Sequence, residues 1–363
     1  MENEMKRSVV MENEMNENLD VKKQKDENKK GAVLVSDRQK KHKKRIGLLI
    51  LLLLFTGVML GTSTYAWFTA NKTVNVNKIT VNVAAQNGIQ ISVDGTTWKS
   101  IIQTADIQGA IAKYTAAKNQ VPAAVEPVST VGEMDTDGLM KMYYGVVDTN
   151  DDGNYILTAT KSTETNGTEG KFIAFDLFFK VDQDTETYLT STSGVVAEGD
   201  DSGIKNASRM AFIVLGNTTA GDTVANIQAL NAGTAAPVNI WEPNIDVHKA
   251  AAVAHARDTY NITTQETGAT QIAYDGIKAD ITKENNVLVG KANATDNATY
   301  FGNTTMKYST NETFADRFAF LSLKSGITKV RIYMWIEGQD VDCENNASGG
   351  SITYNLQITT EAA

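Results

Sequence analysis

One cysteine, Cys343, stands in 363 residues, so no disulfide can form within the chain even where an oxidising compartment would permit one. Stability has to come from a packed core. Proline is scarce, at four residues, and so is histidine, at three. No HExxH pair, lipobox cysteine, sortase-type tail or glycine-rich phosphate loop occurs, so hydrolytic zinc chemistry and nucleotide binding lack their usual residues. Long helical periodicities are few as well. What the chain has in quantity is Thr, Asn and Gly around short alternating apolar runs, the composition of β structure with short loops.

Charge divides the chain unevenly. The whole carries −9, yet residues 1–45 hold 13 Lys+Arg against 9 Asp+Glu, a net of +4 that leaves −13 for the remainder. An acidic remainder argues against nucleic acid and anionic lipid as partners. Residues 1–39 are charged and poor in aliphatics, with MENEM at both Met1 and Met11. Such a segment cannot bury enough apolar surface to offset its ordering entropy, and disorder is the expectation. The duplicated MENEM reads as low-complexity drift or as a translation start at Met11.

The organising stretch follows. Lys40–Arg45 is basic at five of six positions, and Ile46–Gly61 is an uncharged, Leu-rich run of 16 residues with Thr56 its one polar side chain. A bilayer-spanning helix needs about 20 residues, so this run has the length of a signal-peptide core. Extending it through Thr62–Phe68 gives 23 residues with Trp67 and Phe68 at one end, where an aromatic pair suits a membrane interface. Thr64-Tyr65-Ala66 resembles a small-x-small cleavage site, with cleavage between Ala66 and Trp67. Cleavage and a retained signal anchor both stay open. Either way the basic flank holds the N-terminus in the cytoplasm and the bulk of the chain outside. The expected divisions are a basic cytoplasmic tail over 1–45, a signal peptide or anchor helix over 46–68, and an exported domain over 69–363, with signal peptidase and the membrane as partners. Roughly 300 exported residues suffice for one large core or two small ones.

Beyond Ala66 the apolar period becomes two. Val74 and Val76 alternate with polar residues, then Ile79, Val81 and Val83 do so on the opposite parity, which implies a bulge, a bend or two strands around Asn77-Lys78. Ile89, Ile91 and Val93 lead to the turn dipeptide Asp94-Gly95. A short helix is predicted near Ala105–Ala116. Strands Tyr143–Val147 and Tyr155–Thr160 flank a polar loop, and Phe172–Val181 (FIAFDLFFKV) is apolar on both faces, the mark of a central strand covered on both sides. Met210–Leu215 is a further strand. Ile245–Asp258 reads as a helix capped by Asn244, residues 282–313 as loops or edge strands, and Thr328–Ile336 and Ser351–Thr359 as closing strands. Strands in runs with an inserted short helix predict a mainly β fold, an antiparallel β-sandwich preceded by one hydrophobic helix.

Candidate chemistry is sparse, and no enzymatic residue set is expected. Asp148-x-Asn150-x-Asp152-Gly153 matches the first half of a calcium loop, but its twelfth position is Ala159, so the bidentate acid is missing. A polar hairpin turn accounts for the same residues, which leaves calcium a candidate rather than an expected cofactor. Glu337, Asp340, Asp342 and Glu344 crowd one loop and read as a second calcium candidate, an interface, or a charged turn. His248 and His255 stand seven apart on the predicted helix with Asp246 nearby, a weak zinc set against the plainer reading of helix-surface histidines. Cys343 has no histidine placed to activate it and reads as a structural thiol.

The basic flank, the Leu-rich core, TYAWFT at Thr64–Thr69 and the alternating strands after it together resemble the TasA/camelysin group of secreted matrix-fibre proteins of Gram-positive bacteria. Arg331–Ile358, RIYMWIEGQDVDCENNASGGSITYNLQI, is similar to the closing hairpin of surface proteins with that N-terminal signature. The likeness covers about 60 residues at the two ends of the chain. It implies a jelly-roll sandwich exported to the cell surface or biofilm matrix, self-associating into fibres, with the segment after the cleavage site donated as a strand to a neighbour. On this chain the donated positions would be Val74, Val76, Ile79, Val81 and Val83. The competing readings are that Ile79–Val83 form the domain's own first strand, and that the whole is a membrane-anchored adhesin or carbohydrate-binding module.

Export is expected to depend on Ile46–Gly61. Replacing Leu51 and Leu52 with Arg should leave the protein in the cytoplasm, since each central charge costs about 2.5–3.5 kcal/mol on insertion scales. Cell fractionation checks this, and undiminished export would overturn the topology.

Overall fold

Alternation of apolar and polar side chains builds two large sheets, and the apolar faces of both turn toward each other. The computed structural model describes residues 78–110, 113–114, 119–190, 192–199, 203–243, 248–262, 274–304, 306–308, 319–343 and 350–360. The hydrophobic run 46–68, the tail before it, and Val74 and Val76 lie outside the described residues. Among the described residues no helix is long and apolar enough to cross a membrane.

In chain order the described strands are β1 (Lys78–Ala85), β2 (Gln90–Ser92), β3 (Ile101–Gln103), β4 (Tyr143–Thr149), β5 (Tyr155–Lys161), β6 (Ile173–Val181), β7 (Thr185–Leu189), β8 (Gly194–Glu198), β9 (Ser208–Thr218), β10 (Val238–Glu242), β11 (Tyr274–Ile277), β12 (Phe301–Thr304), β13 (Met306–Tyr308), β14 (Ala319–Leu323), β15 (Gly326–Ile336) and β16 (Ser351–Thr359). Three short helices interrupt them: α1 (Thr104–Ala110), α2 (Val224–Ala229) and α3 (Ala250–Tyr260).

The first sheet runs β14-β7-β16-β1-β3, with β8 also on β16, and the second runs β13-β10-β9-β15-β6-β2. Consecutive strands cross between the sheets, as β1, β2 and β3 do at one end of the chain and β14, β15 and β16 at the other. That connectivity is the jelly-roll-like sandwich expected. Pairing is antiparallel except for β1 with β16 and β10 with β13, which are parallel. Residues from both sheets share one core: Val81, Val83, Tyr354 and Leu356 from the first meet Phe175, Leu177, Ile332 and Met334 from the second.

β15 organises the second sheet. It pairs with β6 on one side and β9 on the other, and all eleven of its residues are buried. A carbonyl from Thr218 approaches Gly326 so closely that any Cβ would collide with it, and Gly326 has φ +107. A bulge opposite Lys329/Val330 then absorbs one extra β9 residue next to Gly216, at φ +151, as a positive-φ glycine allows.

The outward face of this sheet is covered too. Phe172, Ala174, Tyr333 and Trp335 pack under Val128, Met140 and Met142, while Phe178 and Ile327 pack under Ile227 of α2. This two-sided cover is what the apolar content of FIAFDLFFKV implied. Asp176, Lys329 and Arg331 are buried with it. Asp176 accepts from Arg331 at 2.9 Å and from the Tyr114 hydroxyl, and Lys329 Nζ lies 3.3 Å away. Arg331 also pairs with Glu164, which accepts from the Tyr333 hydroxyl at 2.9 Å. The ribbons β4-β5 and β11-β12 build a satellite core with Tyr260 of α3.

Two expectations need correction. β15 and β16 do not form a closing hairpin, because they lie in opposite sheets. Both flanks of β15 are already taken by β6 and β9, so the chain has to cross the core before β16 can pair. The helix expected over Ile245–Asp258 starts at Ala250, with Lys249 rather than Asn244 at its N-cap and no side-chain cap bond. Asn244 lies outside the described residues.

Phe175→Ala and Leu177→Ala should each cost roughly 2–5 kcal/mol, the usual range for truncating a fully buried large side chain; both side chains are completely buried. Phe178→Ala should fall in the same range because α2 covers it. Denaturant midpoints measure all three, and unshifted midpoints would contradict the two-sided burial of β6.

Candidate functional site

The calcium-like loop is the tip of the β4-β5 hairpin. Asn150 Oδ1 accepts from the amides of Asp152 and Asn154 at 3.1 and 2.8 Å, and its Nδ2 donates to Asn286 at 2.8 Å. Gly153 follows at φ +80. Asp148 accepts from the Thr149 amide at 2.7 Å and stands 3.7 Å from Lys283 Nζ. The Asn150 oxygen is thus turned onto the loop's own amides, the geometry of an Asx turn, rather than toward an oxygen set shared with Asp148 and Asp152. Of the two readings of this loop, the hairpin turn accounts for these bonds.

The residues singled out for strand donation divide. Val81 and Val83 are fully buried in this chain's own core. Their strand β1 lies between β16, paired in parallel from Lys78↔Ser351 to Ala85↔Ile358, and β3, paired antiparallel. Ile79 stands opposite Ile352 in that register. In this chain Ile79, Val81 and Val83 therefore belong to the domain's own first strand, and a donated segment would have to precede Lys78. Ala66 and Trp67 lie outside the described residues.

The densest chemistry is a buried cluster at one end of the second sheet. Arg209 sits at the start of β9, Glu242 ends β10, Glu337 and Asp340 follow β15, and His248 and Asp342 come from the segment before α3 and the turn after β15. Arg209 pairs with Glu242 and, at 2.6 Å, with Asp340, and it also donates to the carbonyl of Asn206 at 2.9 Å. Glu337 accepts from Trp335 Nε1 at 3.1 Å and from the Gln339 amide at 3.0 Å. His248 Nδ1 lies 2.8 Å from Asp342 Oδ2 and 3.9 Å from Asp340 Oδ1. The Lys249 amide and Asn206 Nδ2 complete the Asp342 carboxylate at 2.8 and 3.3 Å. The side chains of Arg209, Glu242, Asp340, Asp342 and His248 are each no more than 5% exposed.

Four buried carboxyl groups thus face one guanidinium and one imidazole, and the electrostatics register the excess. Burial pushes Glu242 up to about 8, against the pull of Arg209. Burial raises Asp342 as well, against its bond to His248. His248 is lowered by burial but raised, on balance, by Asp342 and Asp340.

Sequence reasoning held the two halves of this cluster apart, with His248 paired to His255 on a helix and Asp340 and Asp342 assigned to an acidic loop. The structure places His248 ahead of α3 and against Asp342, 94 residues away. His255 stacks edge-on at 5.3 Å against Tyr260 instead. Asp246 and Glu344 lie outside the described residues. Cys343 packs into the main core. Arg209 and Glu242 were missed altogether. The available signal was a charge at the end of an otherwise apolar strand, in SRMAFIVL and in VNIWE.

Comparison with protein-family models, with characterised proteins and with solved structures finds no match for this chain.

Arg209→Met should cost about 3–5 kcal/mol, because it leaves Glu242 and Asp340 buried without their cation. Combining it with Glu242→Leu should recover part of that loss. Arg257→Met, whose guanidinium is exposed, is the control and should stay within about 0.5 kcal/mol. Equal midpoints for Arg209→Met and the control would show that the cluster carries no stability.

Proposed function

We propose that the chain is an exported structural subunit of a cell surface or extracellular matrix, polymerising through the segment that precedes β1. The observation that carries this reading is the position of β1. It is the first strand among the described residues, and its register with β16 holds eight consecutive positions. Parallel pairing side by side means that tension applied at Lys78 loads all those positions together, in shear. A segment attached there can be pulled by a neighbour without peeling the domain open one hydrogen bond at a time.

The pieces on either side of β1 fit the same reading. Ahead of it, Trp67–Asn77 carries Val74 and Val76 in strand alternation, so backbone hydrogen bonds would supply affinity and the two valines would fill an acceptor's apolar sites. Among the described residues β14, β3 and β8 end the first sheet's pairings; β3 and β8, with Ile101 and Val196 exposed on them, are the candidate acceptor edges. The resemblance of TYAWFT and the preceding basic, Leu-rich run to the TasA/camelysin group supports export and fibre formation together.

The test is a variant lacking Trp67–Lys72 with Val74→Asp and Val76→Asp. Since β1 is intact, it should fold with an unchanged melting temperature, remain monomeric, and lose the polymers that mature wild-type protein forms under the electron microscope. Val81→Asp, by contrast, should unfold the domain. Mature wild-type protein that stays monomeric at high concentration would overturn the fibre reading in favour of a membrane-anchored binding module.

A further inference from the structure

Within the buried cluster, three groups from two segments, the turn after β15 and the approach to α3, come together: one ligand atom each from His248, Asp340 and Asp342, all within 4.8 Å of one another. The two approaches to His248 Nδ1, 2.8 and 3.9 Å, bracket the separation of about 3.4 Å that ligand atoms at ~2.1 Å from a tetrahedral ion would have. Hydrogen bonding explains the first approach but not the second, which is too long to be one.

A second observation points to the same place. Asn206 is fully buried and turns its carboxamide onto Asp342 Oδ2, yet its Oδ1 has no hydrogen-bond partner among the described residues. A buried amide oxygen left without a donor is costly, and the Nδ2 of the same amide donates to Asp342 Oδ2, the oxygen that His248 Nδ1 approaches.

We propose that His248, Asp340 and Asp342 form a structural site for a borderline divalent transition ion of the zinc class, with Asn206 holding Asp342 in place through its Nδ2 donor. An imidazole among carboxylates suits Zn²⁺, whereas Ca²⁺ takes oxygen ligands alone. Zn²⁺ takes Nδ1 of the neutral imidazole, whose one proton sits on Nε2. From the imidazolium form the proton between Nδ1 and Asp342 is released to solvent as the ion enters, and no other bond changes. The ion ties the entry to α3, the turn after β15 and the loop before β9 into one unit, which makes its role architectural. This inference does not rest on the fibre reading.

Purified full chain, stripped with chelator and dialysed against Zn²⁺, should retain one ion per chain by elemental analysis, and Zn²⁺ should raise its melting temperature in a chelator-reversible way. His248→Gln and Asp342→Asn should abolish retention, and Asn206→Ala should weaken binding ~10–100-fold. Should the Asp342 variant fail to fold, Co²⁺ added to the wild type decides the matter on its own, since a tetrahedral nitrogen-oxygen site gives intense visible bands that His248→Gln removes. No retained ion, undiminished retention in the folded His248 variant, or binding of Ca²⁺ in place of Zn²⁺ would each overturn the proposal.

Discussion

β15 is buried on both faces and paired along both edges, and most of the sandwich is arranged to make that possible. A strand in that position can be apolar throughout at little cost. This one carries Lys329 and Arg331 on its outer face, so the neighbouring strand has to bring Asp176 to the same level and a distant loop has to bring Glu164. Burial of several ions per face is tolerable only when each has its partner in reach, because the desolvation penalty for an unpaired charge amounts to several kcal/mol. The excursion through Tyr114, Asn119 and Val128–Met142 is therefore more than decoration on a sheet. It seals the charges, supplies the Tyr114 hydroxyl to Asp176, and turns what would have been a solvent face into a second core.

The same physics recurs at the far end of the sheet with a different balance. Around Arg331 the charges are nearly matched, whereas around Arg209 carboxyl groups outnumber cations. A protein can resolve such an excess with protons, with an ion, or with both. Raised carboxyl groups at Glu242 and Asp342 show the pull toward the first, and the convergence of His248 with Asp340 and Asp342 shows room for the second. Either way the cluster pins together segments that share no hydrogen-bonded ladder, at the point where the chain leaves β15, enters α3 and begins β9.

In the first sheet, β1 pairs with β16, a segment far away in sequence. This parallel pairing is a non-local contact, so its loop-closure entropy has to be met before the pairing stabilises anything.

Much of this architecture was legible in the residues. The limits of Ser351–Thr359 followed from strict alternation of Ile352, Tyr354, Leu356 and Ile358 with polar neighbours. The burial of FIAFDLFFKV on both faces followed from phenylalanines on both parities, and the Asn150–Asn154 turn from its Asx and Gly content. These are local signals, fixed by side-chain period and by which residues tolerate a turn. Partner choice is a different matter. The sequence could not say that β16 crosses to the sheet opposite β15, because loop length and alternation are the same for a hairpin and a crossover. Nor could it say that Val81 and Val83 serve their own domain. It could not join His248 to Asp342 or Arg209 to Glu242, since a charge buried among apolar neighbours reveals that it needs a partner without revealing which one. Period and turn chemistry are properties of a few consecutive residues and were determined by sequence alone. Sheet order and charge pairing depend on which distant segments can be desolvated together, and that only the tertiary structure decided.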